Sequence, residues 1–119
     1  IGQCPASGSF PMDAMIVVPC SMKTVAGIVS GYSDNLLLRA ADVTIKEARP
    51  LILVPSESPL SPIHLRNLQE LSAMGVRIVP PMISFYQNYT TIEEWTNNFV
   101  ERLLEVVGLK NEMKSWSGM

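Results

Sequence analysis

The chain has 119 residues, of which 47% are hydrophobic and 17% charged, and its formal net charge is −2. That length suits one domain with a real core, and the near-neutral balance argues against nucleic-acid binding or a charged disordered tail. The apolar runs 15–18 and 51–54 are too short to span a membrane, and no basic segment followed by an apolar one marks a signal peptide.

Two cysteines, Cys4 and Cys20, make neither a CxxC nor a metal-ligand spacing. The expectation is two reduced thiols, with Cys20 buried at a strand end; a Cys4–Cys20 disulfide is the alternative. A cytoplasmic location follows as the default. The chain opens on Ile1 and runs directly into loop-like sequence, so a processed or incomplete chain is expected.

Residues 1–13 are rich in Gly, Pro and Ser and read as a loop, in which Ala6-Ser7-Gly8-Ser9 offers hydroxyls and flexible backbone. The run Met15-Ile-Val-Val18 predicts a strand buried on both faces, ended by Pro19, which cannot donate to a ladder. A helix follows over about 21–29, with Gly31 as its stop. Asp34 is the expected cap of a second helix reaching about Glu47, with Leu37, Ala40, Ala41 and Ile45 on its apolar face. Pro50 breaks that helix, and 51–54 is a second apolar strand, ending in Pro55.

Ser61 with Pro62 behind it is a helix start, and that helix carries Ile63, Leu65, Leu68 and Leu71 before Gly75. Residues 77–79 form a short third strand, again followed by proline. Thr91-Ile-Glu-Glu94 fits a capping box that opens the last helix, whose stripe is Ile92, Trp95, Phe99, Leu103, Val106 and Val107 up to Gly108. Strands alternating with helices predict an α/β fold with a parallel sheet and right-handed crossovers. Three strands leave exposed edges, which need covering by further chain or a partner.

All strands of a parallel sheet end at one edge, and ligands bind beyond it. That edge should collect Ser21, Lys23, Thr24, Ser56, Glu57, Ser58, Phe85 and Tyr86. The residues after Pro19 are small and hydroxylic, and they occupy a helix N-terminus whose free N–H groups favour anions. A carboxylate among hydroxyls, with an amine and a tyrosine near, could bind phosphate and move a proton; Glu57 as an ordinary solvated residue is the alternative. His64, the single histidine, reads as a packing or capping residue. No Ser/His/Asp arrangement, GxGxxG or Walker loop is present, and no metal site is expected.

The segments ASGSF, MIVVPCSMKT, NLLLRAADVTIKEARPLILVP, PLSPIHLRNL and GVRIVPPMISFY, in unbroken order, resemble the UbiX-type flavin prenyltransferase family, which includes B subunits of phenolic-acid decarboxylase systems. The resemblance runs from about residue 6 to 108. It implies a flavodoxin-like, Rossmann-like three-layer α/β fold with its N-terminal strand or strands, and their glycine-rich phosphate loop, absent from this chain. The chain would then be one domain, 1–119, forming the C-terminal portion of such a unit.

The family's reaction joins a dimethylallyl group from dimethylallyl monophosphate to reduced FMN without a metal. The prenylated FMN serves a UbiD-type decarboxylase. The resemblance further implies a homo-oligomer with sites between subunits, so that some residues act on a neighbour's ligand. By the same likeness Ser21, Met22, Lys23 and Thr24 contact flavin, with Ala6 and Ser7 beside its ring system and Arg39 approaching it. Lys46, Tyr86 and Arg102 match prenyl-phosphate positions, Trp116 a tryptophan covering the pocket, and Glu57 the carboxylate that handles protons.

One departure stands out: the family reads VPRE where this chain reads VPSE, so Ser56 replaces an arginine that contacts flavin or prenyl phosphate. A charge-assisted contact of roughly 1.5–3 kcal/mol is lost there. Two other readings stand beside the enzyme. One is a non-catalytic flavin-binding or structural subunit of an aryl-acid decarboxylase system. The other is a flavin-dependent cysteine decarboxylase, whose PxMN-type motif is not met because PPMISF lacks the asparagine.

Overall fold

The structure is a computed structural model, and it describes residues 13–82 and 89–108. The chain divides into two compact units, Ile1–Pro80 and Pro81–Met119. The first carries β1 (Met15–Cys20), α1 (Met22–Val29), α2 (Leu36–Lys46), β2 (Leu51–Pro55), α3 (Pro62–Ala73) and β3 (Arg77–Ile78); the second carries α4 (Ile92–Val107). The three strands form one parallel sheet in the order β1-β2-β3. The α/β parallel fold expected from the sequence is therefore present.

Because each strand is added on the same side of its predecessor, right-handed crossovers place α1, α2 and α3 on one face. Register supplies the core on that face. Met15 pairs with Leu51 and Val17 with Leu53. These four residues are buried in one cluster with Val25 and Ile28 of α1, Leu38 and Ala41 of α2, and Leu68 and Leu71 of α3. Alternate residues Ile52 and Val54 point to the other face and are also buried, so β2 is covered on both sides. Of the expected three layers, the first unit by itself supplies the sheet and one helical layer.

Several expectations are corrected in detail. Pro19 does not end β1: the strand continues to Cys20, with the register shifting between Val17 and Cys20. Val18 and Pro19 are exposed in this irregularity, where the missing N–H is not asked to bond. Pro55 is the last residue of β2, as expected, whereas β3 ends at Ile78, although the Val79 N–H still donates to the Leu53 carbonyl at 2.9 Å.

The cap of α2 is Asn35, not Asp34, its side-chain oxygen accepting from the Leu38 N–H at 2.8 Å. With three consecutive leucines at 36–38, the pattern alone cannot set the helix phase. Gly27 of α1 sets it, since a Cβ there would lie 3.0 Å from both Leu38 methyl groups. Leu38 therefore takes the inward place expected for Leu37. On α3 the inward pair is Leu68 and Leu71, whereas Ile63 and Leu65 are more than half exposed.

In the second unit the Thr91–Glu94 capping box forms as expected, with Gly108 closing α4 in the left-handed region at φ 83°. Leu103 is its buried residue, and Ile92 at the head of the expected stripe is exposed. Trp95 stacks on Phe99 with ring centroids 5.3 Å apart. No helix of the described residues is long and apolar enough to cross a membrane.

Candidate functional site

At the carboxyl edge of the sheet, Cys20 is in register with Pro55. Ser21 and Ser56 are therefore the first residues past the sheet on adjacent strands, a ladder spacing of about 4.8 Å apart along the sheet. Ser21 caps α1: its hydroxyl oxygen accepts from the Thr24 N–H at 3.1 Å and donates to the Thr24 hydroxyl at 3.0 Å. The Met22 and Lys23 N–H groups, in the first turn, have no acceptor within the helix. No acidic residue sits in that turn, so the positive end of the α1 dipole is uncompensated from within the helix.

Met22 is buried beneath this edge, while Ser21 and Lys23 are exposed. The anchor below is Cys20, a free, buried thiol that donates to the Ser21 carbonyl at 3.6 Å. Burial pushes its pKa up from 9.0 to about 11, so it stays a neutral, packed thiol.

Beyond β2, residues 56–60 are all exposed, and the side chains of Ser56, Glu57 and Ser58 make no hydrogen bond among the described residues. Both faces of this edge thus hold polar groups that the fold does not use. Such an edge can take an anion on α1 and present it to the carboxylate of Glu57. Its donors fit one half of a flavin site, with hydroxyls, free N–H groups and an amine on the same strand end. Among the described residues no group of three His, Cys, Asp or Glu side chains could hold a metal ion.

The other expected residues fall elsewhere. The C-terminal end of α2 lies at the start of β1, where Thr44 donates to the Met15 sulfur at 3.6 Å and Arg49 pairs with Asp13 at 3.2 Å. Lys46 therefore belongs to the amino edge, separated from Glu57 by the length of the strands, about 16 Å. Arg39 lines a groove of about 280 Å³ at the same edge, with Leu36, Val43, Thr44 and Arg49. Arg102 is an exposed residue of α4 in the second unit, whose own cavity of about 420 Å³ is lined by Tyr89, Thr91, Ile92 and Trp95. Ala6, Ser7, Phe85, Tyr86 and Trp116, and the second cysteine Cys4, lie outside the described residues.

Sequence reasoning missed the amino-edge groove, whose walls come from segments far apart in the chain. The capping reading of His64 holds: three residues after the Ser61 cap, it takes the reciprocal place in a capping box, where the familiar pattern has Glu or Gln.

The Flavoprotein family profile matches residues 4–106. The chain belongs to the Flavoprotein family. Among its relatives is a probable UbiX-like flavin prenyltransferase of Sedimentibacter hydroxybenzoicus, 51% identical over 114 residues, which cover 95% of this chain and 60% of that protein. A dodecameric FMN-dependent UbiX-like decarboxylase from Escherichia coli O157:H7 matches in structure with TM-score 0.79 and 56% identity, over 87% of this chain and 56% of that one. AnUbiX (PadA1), solved in complex with FMN and dimethylallyl pyrophosphate, matches with TM-score 0.78 and 51% identity, over 85% of this chain and 54% of that one. The chain spans about 60% of the length of such curated relatives.

Proposed function

We propose that this chain is the C-terminal portion of a flavin prenyltransferase domain. The whole protein transfers a dimethylallyl group from dimethylallyl monophosphate to reduced FMN and needs no metal. The prenylated FMN goes to a UbiD-type decarboxylase, the protein is a cytoplasmic homo-oligomer, and its sites lie between subunits. The observation that carries the reading is the register of Cys20 with Pro55, which sets the uncompensated start of α1 beside Ser56 and Glu57. The half-identity to UbiX-like relatives along nearly the whole chain supports it.

Reduced FMN supplies the nucleophile when bound. The chain's residues do the rest. Ser21, Lys23, Thr24 and the first N–H groups of α1 hold and orient the flavin, and Met22 shapes the floor beneath it. Ala6 and Ser7 flank its ring system. Glu57 holds a proton at the phosphate oxygen that leaves the allylic carbon, so the departing group need not carry its full charge. Lys46, Tyr86 and Arg102 bind that phosphate, Trp116 excludes water from the pocket, and Ser56 contributes one neutral hydrogen bond where a cation would bind more tightly.

The opposite placement of Lys46 and Glu57 in one chain supports the intersubunit arrangement, in which Lys46 and Arg39 serve a neighbouring copy's ligand. The same separation, with the loss of charge at Ser56, favours the second reading, a non-catalytic flavin-binding or structural subunit of an aryl-acid decarboxylase system. The test is to incubate the full chain anaerobically with reduced FMN and dimethylallyl monophosphate and to weigh the flavin. One added prenyl unit is the expected result. Bound but unmodified FMN would give the case to the non-catalytic reading.

A further inference from the structure

Residues 56–60 connect β2 to α3 and carry Ser56 and Glu57. No side chain of this stretch makes a hydrogen bond among the described residues, and all five residues are exposed. Its position is therefore determined by its two ends. The upstream end is Pro55, buried and in register with Cys20. The first hydrogen-bonded group downstream is the Ser61 N–H, which donates to His64 Nδ1 at 3.1 Å. The return half of the box, Ser61 Oγ accepting from the His64 N–H, is also 3.1 Å.

These two bonds do different things. The hydroxyl satisfies a donor inside α3 and so caps the helix. The imidazole instead grips the backbone of the residue that ends the connection. A neutral imidazole that accepts at Nδ1 carries its proton at Nε2, so the ring is in one tautomer here. We propose that His64 is a positioning residue: by holding the Ser61 N–H, it fixes the downstream end of the 56–60 connection and thereby places Glu57 over the carboxyl edge. The inference rests on the proposed role of Glu57 for its catalytic half; the anchoring half stands on the geometry alone.

The experiment uses the full chain as wild type, His64→Ala, His64→Gln and Ser61→Ala, each measured by amide hydrogen exchange across residues 56–61 and by prenyl transfer. In the wild type the Ser61 amide is the slowest to exchange of that stretch, a result that needs no variant. In His64→Ala the Ser61 amide exchanges about tenfold faster, as expected when a backbone donor loses its acceptor. The kcat falls about tenfold while the KM for FMN stays within about twofold, because a displaced group costs rate rather than flavin affinity.

His64→Gln, whose amide oxygen can accept from the same N–H, restores both. Ser61→Ala, which removes the cap but keeps the Ser61 N–H on His64, lowers the melting temperature and leaves kcat unchanged. A Ser61 amide as open as its neighbours in the wild type, unaltered exchange in His64→Ala, faster exchange with unchanged kcat, or failure of glutamine to restore it would each overturn the proposal. Wild-type exchange as expected without any prenyl transfer would instead sink the catalytic reading of Glu57 and leave His64 as the anchor of the connection.

Discussion

The two edges of the sheet are built from the same strands and end in opposite electrostatic states. At the amino edge the charges are used up by the fold: Arg49 pairs with Asp13 at 3.2 Å and with Glu47 at 3.0 Å, closing the turn that brings α2 into β2. At the carboxyl edge the first turn of α1 has no acidic residue, and the side chains of Ser56 and Glu57 have no hydrogen-bond partner among the described residues. The difference separates groups that hold the fold from groups the fold leaves unused. Arg39 and Lys46 are the exceptions: among the described residues they lie outside the ion pairs of the amino edge, and both are exposed.

The largest expected effect tests the carboxyl edge directly. Glu57→Gln in the full chain should lower kcat by about 10²–10⁴-fold, the range for losing a positioned proton-transfer group. Because Glu57 is exposed, the unfolding free energy should move by no more than about 0.5 kcal/mol. Loss of stability instead of rate would place Glu57 with the groups that hold the fold. Lys46→Ala tests the other edge. If the two residues act in one site across subunits, assemblies mixed from Glu57→Gln and Lys46→Ala chains regain activity that neither variant shows alone; no recovery would confine the site to one chain.

Cys20 sharpens the comparison from below. With its pKa pushed up to about 11, the thiolate fraction near neutral pH is about 100-fold lower than that of a thiol at 9.0. Alkylation mapped by mass spectrometry should therefore be slow in the folded chain and fast in denaturant. The sign for stability follows: the fold favours the protonated thiol, so its contribution is intact below about pH 9 and is lost as the pH rises toward about 11. A stability profile flat through that window would mean the thiol is not buried as described.

Ser21→Ala should cost about 1 kcal/mol by removing the α1 cap, read from denaturant midpoints. It should also weaken FMN binding, which a purely structural cap would not. The smallest effect belongs to the amino edge. Arg49→Met should change stability by less than about 1 kcal/mol, and high salt should erase most of the difference, because both ion pairs are partly exposed.

Local signals in the sequence determined much of this protein. The apolar runs at 15–18 and 51–54 specified buried strands, Ser61-Pro62 and Thr91–Glu94 specified helix starts, and their alternation specified a parallel sheet. These are short-range effects of backbone hydrogen bonding and side-chain burial, legible wherever one residue type has one local solution. Ser21, Ser56 and Glu57 were legible as neighbours because parallel strands deliver their following loops to one edge. Tertiary structure alone decided the rest. Gly27 admits Leu38 and so rotates α2 away from its expected phase; the β1 irregularity lets Pro19 stay in a strand; and α2 runs down to the amino edge, carrying Lys46 away from Glu57. Each of these depends on contact between segments distant in sequence, where packing at close range overrides what periodicity can express.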